Sequence, residues 1–182
     1  MPDSSNIQTQ AIRHQDLGRQ LFADSKLNAY AVLDGASNPA LLDHLYAAER
    51  PEFACLYRGE LEPDLAECAP YLVRVEADLP FTQWVIGNCL GQNWGIFALS
   101  RADLQAMLQH LRKHNMVYDP DNRPLLFRYY DPRVLREFLP ICDDGQATQF
   151  FGPVEAFFAE AEDGASHLRF DRPVAQTNEG SL

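Results

Sequence analysis

The stretch Leu125–Leu135 reads LLFRYYDPRVL and places a strand-like pattern directly before the start of a helix. Because side chains alternate along a strand, Phe127 and Tyr129 share one face, and Arg128 and Tyr130 share the other. The Asp-Pro dipeptide that follows is typical of a helix N-cap and first helical residue. We therefore predict an extended segment that enters a helix at this point.

The arginine in this apolar stretch needs a partner. A buried guanidinium is stable only beside a carboxylate or carbonyl that offsets its lost hydration. Asp34, at the end of the first predicted strand, and Asp131 are the candidate partners of Arg128. One interpretation is a buried ion pair that fixes how the strand meets the helix. The other is a recognition pocket or anchor, whereas catalysis lacks an accompanying nucleophile or base of the usual kinds.

Outward from this stretch, strand-like and helix-like patterns alternate along the first two thirds of the chain. The alternation predicts the α/β (α+β) class, with a mixed β-sheet flanked by helices and a C-terminal hairpin and helix region. The Phe150-Phe151 pair is also predicted to be extended. The predicted strands are 28–34, 53–57, 71–75, 94–99, 116–118, 124–130, 154–158 and 167–170, and the predicted helices begin near residues 10, 39, 81, 101 and 132.

The predicted organisation is a single domain over residues 11–170. A division into two lobes, about 11–115 and 116–170, stays open at this stage. The polar segments 1–10 and 171–182 are predicted to be disordered tails. The first ten residues also lack the charged and then apolar layout of a signal peptide.

Composition narrows the range of functions. The 182 residues include 26 acidic and 15 basic side chains, which give a formal net charge of −11. Nucleic acids and anionic membranes are bound mainly by Lys and Arg, so this balance argues against both. It favours solubility or a basic partner. No apolar run approaches the roughly 20 residues of a membrane span.

The four cysteines bear on the compartment. Cys55, Cys68, Cys89 and Cys142 are widely spaced among apolar neighbours, without a C-x-x-C pair. We interpret them as reduced, mostly buried thiols of a cytoplasmic protein, because free cysteine is usually buried. A disulfide is the main alternative, and zinc has less support because structural zinc sites normally use paired ligands.

No catalytic motif is found. The sequence contains neither a G-x-S-x-G elbow nor a glycine-rich phosphate loop. His110 and His114 have the i, i+4 spacing that can place two ligands on one helix face, but the glutamate of H-E-x-x-H is missing. His14, His44 and His167 are isolated in the sequence. We therefore predict no catalytic residue, no metal site and no cofactor.

An ordered set of motifs carries a family resemblance. The set comprises YAVLDGA (30–36), CLYRG (55–59), APYLV (69–73), WGIF (94–97), LFRYYDPRVL (126–135) and FFGP (150–153). Together they resemble the type VI secretion effector chaperones, also called adaptors (the Tap or TEC proteins), over about residues 28–154. This chain departs from the pattern at Ala69, where the family often has Gly, and in Asp119–Arg123, where a Gly is common.

The resemblance implies a binding function and no enzymatic activity. Members of that family bind a particular toxic effector in the cytoplasm of a Gram-negative bacterium and help to load it onto the spike protein VgrG. The implied partners are therefore a cognate effector and VgrG, with no nucleic acid and no membrane insertion. The alternative is a small-molecule-binding or enzymatic α/β domain with a pocket around Arg128 and Asp34. The candidate residues, structural or binding, are Asp34, Arg58, Tyr71, Trp94, Arg128, Tyr130, Asp131 and Arg133.

Overall fold

A computed structural model describes residues 7–174, within which nine strands and seven α-helices follow one another. The strands are β1 (Thr9–Arg13), β2 (Asn28–Asp34), β3 (Phe53–Cys55), β4 (Pro70–Val75), β5 (Gly95–Ser100), β6 (Met116–Tyr118), β7 (Pro124–Leu126), β8 (Val154–Glu160) and β9 (Ser166–Asp171). The α-helices are α1 (Leu17–Leu21), α2 (Leu41–Leu45), α3 (Pro63–Cys68), α4 (Pro80–Asn88), α5 (Leu104–Arg112), α6 (Pro132–Phe138) and α7 (Asp144–Phe151). Short 3-10 helices occupy His14–Asp16, Gly35–Ser37 and Leu139–Ile141.

Seven strands form one sheet in the order β1-β9-β8-β5-β2-β4-β3. At its centre, Ala31 of β2 lies between Val73 of β4 and Phe97 of β5. The predicted α+β class, with a sheet flanked by helices, is confirmed. The pairings described are all antiparallel rather than mixed. The helix α4 connects β4 to β5, and β2 lies between these two strands, so they do not pair.

The sheet contains strands from both of the lobes considered from the sequence. β8 pairs with β5, and β9 pairs with both β8 and β1, so strands from 11–115 and 116–170 share one sheet. β1 begins at Thr9 and pairs that residue with Phe170, which corrects the end of the predicted N-terminal tail. Asp171 likewise belongs to β9. The rest of the two predicted tails, residues 1–6 and 175–182, lies outside the described residues.

Both faces of the sheet are buried. Alternate residues of β2 belong to different cores: Ala31 and Leu33 lie in one, and Tyr30 and Val32 in the other. This double burial explains the continuous apolar run of β2. The first core contains residues of α1, α2 and α4, and the second contains residues of α5, α6 and α7. The chain between α5 and α6, which holds the LLFRYYDPRVL stretch, therefore adjoins the second core.

Three local predictions are corrected. The helix predicted from residue 10 is replaced by β1, a 3-10 turn and the short α1. Phe150 and Phe151 end the helix α7 instead of forming a strand, because a capping box of Asp143 and Gln146 starts that helix upstream. The helix predicted to begin near residue 101 begins at Leu104, where Asp103 is the N-cap.

The next two features are the state of the cysteines and the length of the helices. All four cysteines are free; Cys89 and Cys142 are buried, Cys55 is half-buried and Cys68 is exposed. The prediction of mostly buried thiols therefore fails at Cys68, which ends the short surface helix α3. Within residues 7–174, every helix is too short or too polar to cross a bilayer.

Candidate functional site

The predicted hairpin is confirmed and carries an exposed apolar surface. β6 and β7 pair with Val117 opposite Leu125 and Met116 opposite Leu126. We call the surface formed by Met116, Val117, Tyr118, Leu125 and Leu126 the hairpin surface. All five side chains are more than 40 % exposed, and Tyr118 is 66 % exposed. Because side chains alternate along a strand, Val117 and Leu125 lie on one face of the hairpin, and Met116, Tyr118 and Leu126 lie on the other. Groups of exposed apolar side chains mark interaction surfaces.

The hairpin is held to the body of the molecule at its base. The Phe127 N–H donates to the Asn115 carbonyl at 2.8 Å, and the Asn115 side chain donates to the Leu56 carbonyl at 3.0 Å. The Arg112 guanidinium donates to the carbonyls of Cys55 and Tyr57 at 2.8 and 3.2 Å. A two-stranded hairpin is marginal by itself. These bonds therefore hold the hairpin surface in one orientation.

The hairpin turn is organised by the carboxylate of Asp119. It accepts hydrogen bonds from the Arg123 backbone N–H and side chain, both at 2.8 Å. These bonds, led by the one from the backbone, lower the pKa of Asp119. Asn122 has φ +60°, the left-handed region in which Asn is better tolerated than most non-glycine residues. The turn therefore adopts a left-handed residue without glycine.

The backbone at Ala69, the other departure from the resembled pattern, does not require glycine. Ala69 has φ −74° and ψ 153°, an ordinary extended conformation that does not require glycine. Its carbonyl accepts a hydrogen bond from the Gly35 N–H at 3.0 Å. An ideal Cβ on Gly35 would lie only 2.3 Å from the Glu67 carbonyl oxygen, so the close approach requires glycine there and not at position 69.

Two clefts flank the hairpin surface, and both include Met116. The larger, of about 440 Å³, has an aromatic floor that includes Phe127, Phe138 and Phe150. His114 also lines it, and burial lowers the pKa of His114 to about 4, so that its ring is neutral near pH 7. The ring packs against Phe150, with centroids 4.9 Å apart. The aromatic floor of this cleft therefore offers an apolar contact for a side chain of a partner, and Lys113 also lines the cleft.

The second cleft, of about 300 Å³, lies on the other side of Met116. Its lining includes Tyr57, Arg58 and Leu126. Arg58, which was singled out from the CLYRG motif, is exposed here. Arginine and tyrosine at the edge of an apolar patch are typical anchors in protein interfaces. Arg58 thus belongs to the surroundings of the hairpin surface.

A larger cleft of about 840 Å³ lies elsewhere and has a different character. It is lined by charged residues that pair with one another, Arg169 with Asp171 at 2.8 Å and Arg172 with Glu155 at 3.4 Å. It also includes Val174, the last described residue. The charged residues that line this cleft already have partners, so it is a poor candidate for a functional site.

Arg128 and Asp34, predicted as partners, are brought together. The Arg128 guanidinium donates a hydrogen bond to the carboxylate of Asp34, which also accepts from the Ala36 N–H at 3.1 Å. Asp34 is buried, whereas Arg128 remains partly exposed. Burial opposes the charge of Arg128, but the attraction of Asp34 prevails and raises its pKa. The arrangement matches the interpretation as an ion pair that fixes the approach to α6, although Arg128 lies in a turn and not in a strand.

Asp131, the other proposed partner, is bound to Arg133 instead. Its carboxylate accepts two side-chain hydrogen bonds from Arg133, at 2.9 and 2.7 Å, and one from the Arg133 backbone N–H. Burial alone would raise the pKa of Asp131, but these bonds lower it. Asp131 is thus the N-cap that starts α6, as the Asp-Pro dipeptide predicts.

The remaining predicted residues are dispersed. Tyr130 is buried in the second core, and its ring lies 6.0 Å from the Arg128 guanidinium carbon. Tyr71 belongs to the first core and donates its hydroxyl hydrogen bond to the Ala66 carbonyl at 2.8 Å. Trp94 packs against that same core, and its carbonyl accepts from the Asp34 N–H at 2.8 Å. Tyr71, Trp94 and Tyr130 therefore stabilise the fold and are not part of the hairpin surface.

Sequence reasoning missed the hairpin surface as a site, although it predicted the hairpin. The available signal was a run of apolar residues on both strands, where a hairpin with one solvated face usually alternates apolar and polar side chains. His110, considered as a ligand, instead contacts the Phe150 carbonyl through Nε2 at 2.8 Å.

Comparison with known proteins gives one result. A family model described as "Domain of unknown function (DUF4123)" matches residues 29–149. This range includes the hairpin, both carboxylate–arginine pairs and α6. Neither the curated proteins nor the solved structures contain a match to the chain.

Proposed function

The chain belongs to the DUF4123 family, and from that premise we propose that it is a chaperone or adaptor for a type VI secretion effector. In this proposal the protein binds one cognate effector in the cytoplasm and helps to load it onto the VgrG spike. It catalyses no reaction. Its partners are proteins, and nucleic acid and membrane are not among them.

The observation that carries this proposal is the hairpin surface. Five apolar side chains stand exposed on an element whose base is bonded to the Leu56 carbonyl through Asn115. A pre-oriented surface loses little conformational entropy when a partner binds. A chaperone needs such a surface to cover apolar segments of its cargo until delivery.

One further feature supports the choice of an effector as the partner. The motif resemblance to effector chaperones covers about residues 28–154, and the family match covers nearly the same range. The Asp34–Arg128 and Asp131–Arg133 pairs explain why the RYYDPRVL run serves the fold: they fix the segment that leads from the hairpin into α6.

The alternative of an enzyme or small-molecule receptor around Arg128 and Asp34 lacks a supporting observation. The two side chains are bonded to each other, and neither lines the clefts of about 840, 490, 440 and 300 Å³. A ligand-binding site normally combines a concave pocket with convergent polar groups.

Co-purification tests the proposal. The tagged chain is expressed with the products of its neighbouring genes, recovered by affinity and passed through size exclusion. We expect a stable complex with one large neighbour, either a toxin-like protein or a VgrG protein. A chain that elutes alone in the presence of every neighbour would contradict the proposal.

A further inference from the structure

Three residues that are isolated in the sequence converge near the edge of the sheet. His14 lies in the 3-10 turn after β1, Cys89 is the C-cap of α4, and His167 lies on β9. One potential ligand atom from each lies within 4.8 Å of the other two. Imidazole nitrogen and cysteine sulfur are the usual ligands of zinc.

The polar atoms of this cluster lack ordinary partners. The Nδ1 atoms of His14 and His167 are both buried, with no hydrogen-bond partner among the residues that the structure describes. The Cys89 thiol has one weak contact, with the Ile86 carbonyl at 3.8 Å. Buried polar groups in folded proteins almost always have hydrogen-bond partners, so several unpartnered atoms at one point call for an explanation.

The chemistry of the three side chains suits zinc. Zinc binds imidazole in its neutral form and cysteine as the thiolate, so the Cys89 thiol proton would be released on binding.

Glu160 adds negative charge beside the cluster. It is buried, and the sheet register places it opposite His167. Its carboxylate accepts a hydrogen bond from the Asn93 N–H at 3.2 Å. A buried carboxylate lowers the cost of placing a cation nearby.

We propose that His14, Cys89 and His167 form a zinc site that ties the first and last strands of the sheet to the end of α4. The fourth position is filled by water, which enters from the side of the half-buried His14. Ligand atoms in a tetrahedral zinc site are roughly 3.3–3.6 Å apart, as follows from the usual bond lengths. The side chains therefore close by about 1 Å on binding.

The site is independent of the proposed function, and its test requires no effector. The full chain is stripped with a chelator, dialysed, and titrated with zinc chloride while bound metal and melting temperature are measured. Cobalt(II) serves as a spectroscopic probe, since a cobalt–thiolate bond gives a near-ultraviolet charge-transfer band. We expect one zinc per chain, a higher melting temperature, and that band.

Variants identify the ligands. Cys89→Ser should abolish the cobalt–thiolate band, and His14→Asn should weaken zinc binding at least tenfold. His14 is only half-buried, so its variant tests the site even if a change at Cys89 impairs folding. Cys142→Ser, at another buried free thiol, is the matched control and should bind zinc as the parent does. A parent chain that retains no stoichiometric zinc, or zinc binding unchanged in both ligand variants, would overturn the proposal.

Discussion

The Arg128 guanidinium donates a hydrogen bond to the carboxylate of Asp34, which lies 94 positions earlier in the chain. This bond joins the end of the central strand β2 to the turn that leads into α6. Asp34 is 3 % exposed, whereas Arg128 is 43 % exposed. Loss of Arg128 would therefore leave a buried carboxylate without its counter-charge, whereas loss of Asp34 would leave an arginine that water still solvates.

Replacing Arg128 with Ala should destabilise the fold. The buried Asp34 carboxylate would keep the Ala36 N–H as its partner but lose its counter-charge, at a cost of about 1–3 kcal/mol. The cost stays below that of a fully buried pair because solvent reaches Arg128. Chemical denaturation measures the change, and Arg19→Ala, at an exposed arginine whose partner Asp16 keeps Arg13, should lie within about 0.5 kcal/mol of the parent. An unchanged stability together with lost cargo binding would place Arg128 in the interface instead.

In the Asp131–Arg133 pair too, removal of the carboxylate and removal of the arginine should cost different amounts of stability. Asp131→Ala removes the N-cap of α6 and should cost about 1 kcal/mol. Arg133→Ala should cost less, because Arg133 is 60 % exposed and the capping bond to its backbone N–H remains. Urea denaturation of both variants decides the order. A larger loss for Arg133→Ala would mean that the ion pair, and not the cap, carries the effect.

Stability should fall as the solution is acidified through the range in which histidine titrates. The pKa of His114 is lowered from 6.5 to about 4 by burial, so the unfolded chain binds the proton first. The contribution of this group is complete above pH 6.5 and is lost progressively as the pH falls towards 4. His114→Phe should flatten the pH dependence of the unfolding free energy. Phe138→Leu, in the same aromatic cluster, should lower stability but keep the parent slope.

The hairpin turn should tolerate glycine and reject a β-branched residue at position 122. Asn122→Gly should change stability by less than about 1 kcal/mol, because glycine adopts positive φ readily. Asn122→Val should cost about 1–2 kcal/mol locally. Hydrogen exchange of the amides in β6 and β7 should therefore accelerate in the valine variant only. Equal exchange in the two variants would show that the Asp119 contacts alone hold the turn.

How much of this could be predicted from the sequence depends on the range of the interactions involved. β2 was predictable because its continuous apolar run reflects burial on both faces. The Asp34–Arg128 pair was predictable as one of two choices, since an arginine in an apolar stretch calls for a carboxylate partner, although it is Asp34 and not Arg128 that is buried. β1 was not predictable, because an edge strand with a single buried residue has almost no apolar pattern and is defined by its pairing with β9.

The hairpin surface and the proposed zinc site also differ in how far apart in the sequence their residues lie. The hairpin surface is local, so its apolar residues were visible in the sequence, but their exposure depended on the absence of a covering element among the described residues. The cluster of His14, Cys89 and His167 arises from the sheet order, which brings β1 beside β9. Nothing in the spacing of these three residues indicates that they meet.

The most direct test of the central claim is binding of the co-purified partner by a chain with a charged hairpin surface. Val117→Lys with Leu125→Glu places two charges of opposite sign on exposed opposing positions, so like-charge repulsion does not oppose the hairpin pairing. Ile141→Glu, at an apolar residue 80 % exposed outside the hairpin, is the control. We predict a partner affinity weaker by about 30-fold or more in the double variant, with parent affinity in the control. Unchanged affinity in a correctly folded double variant would contradict the account.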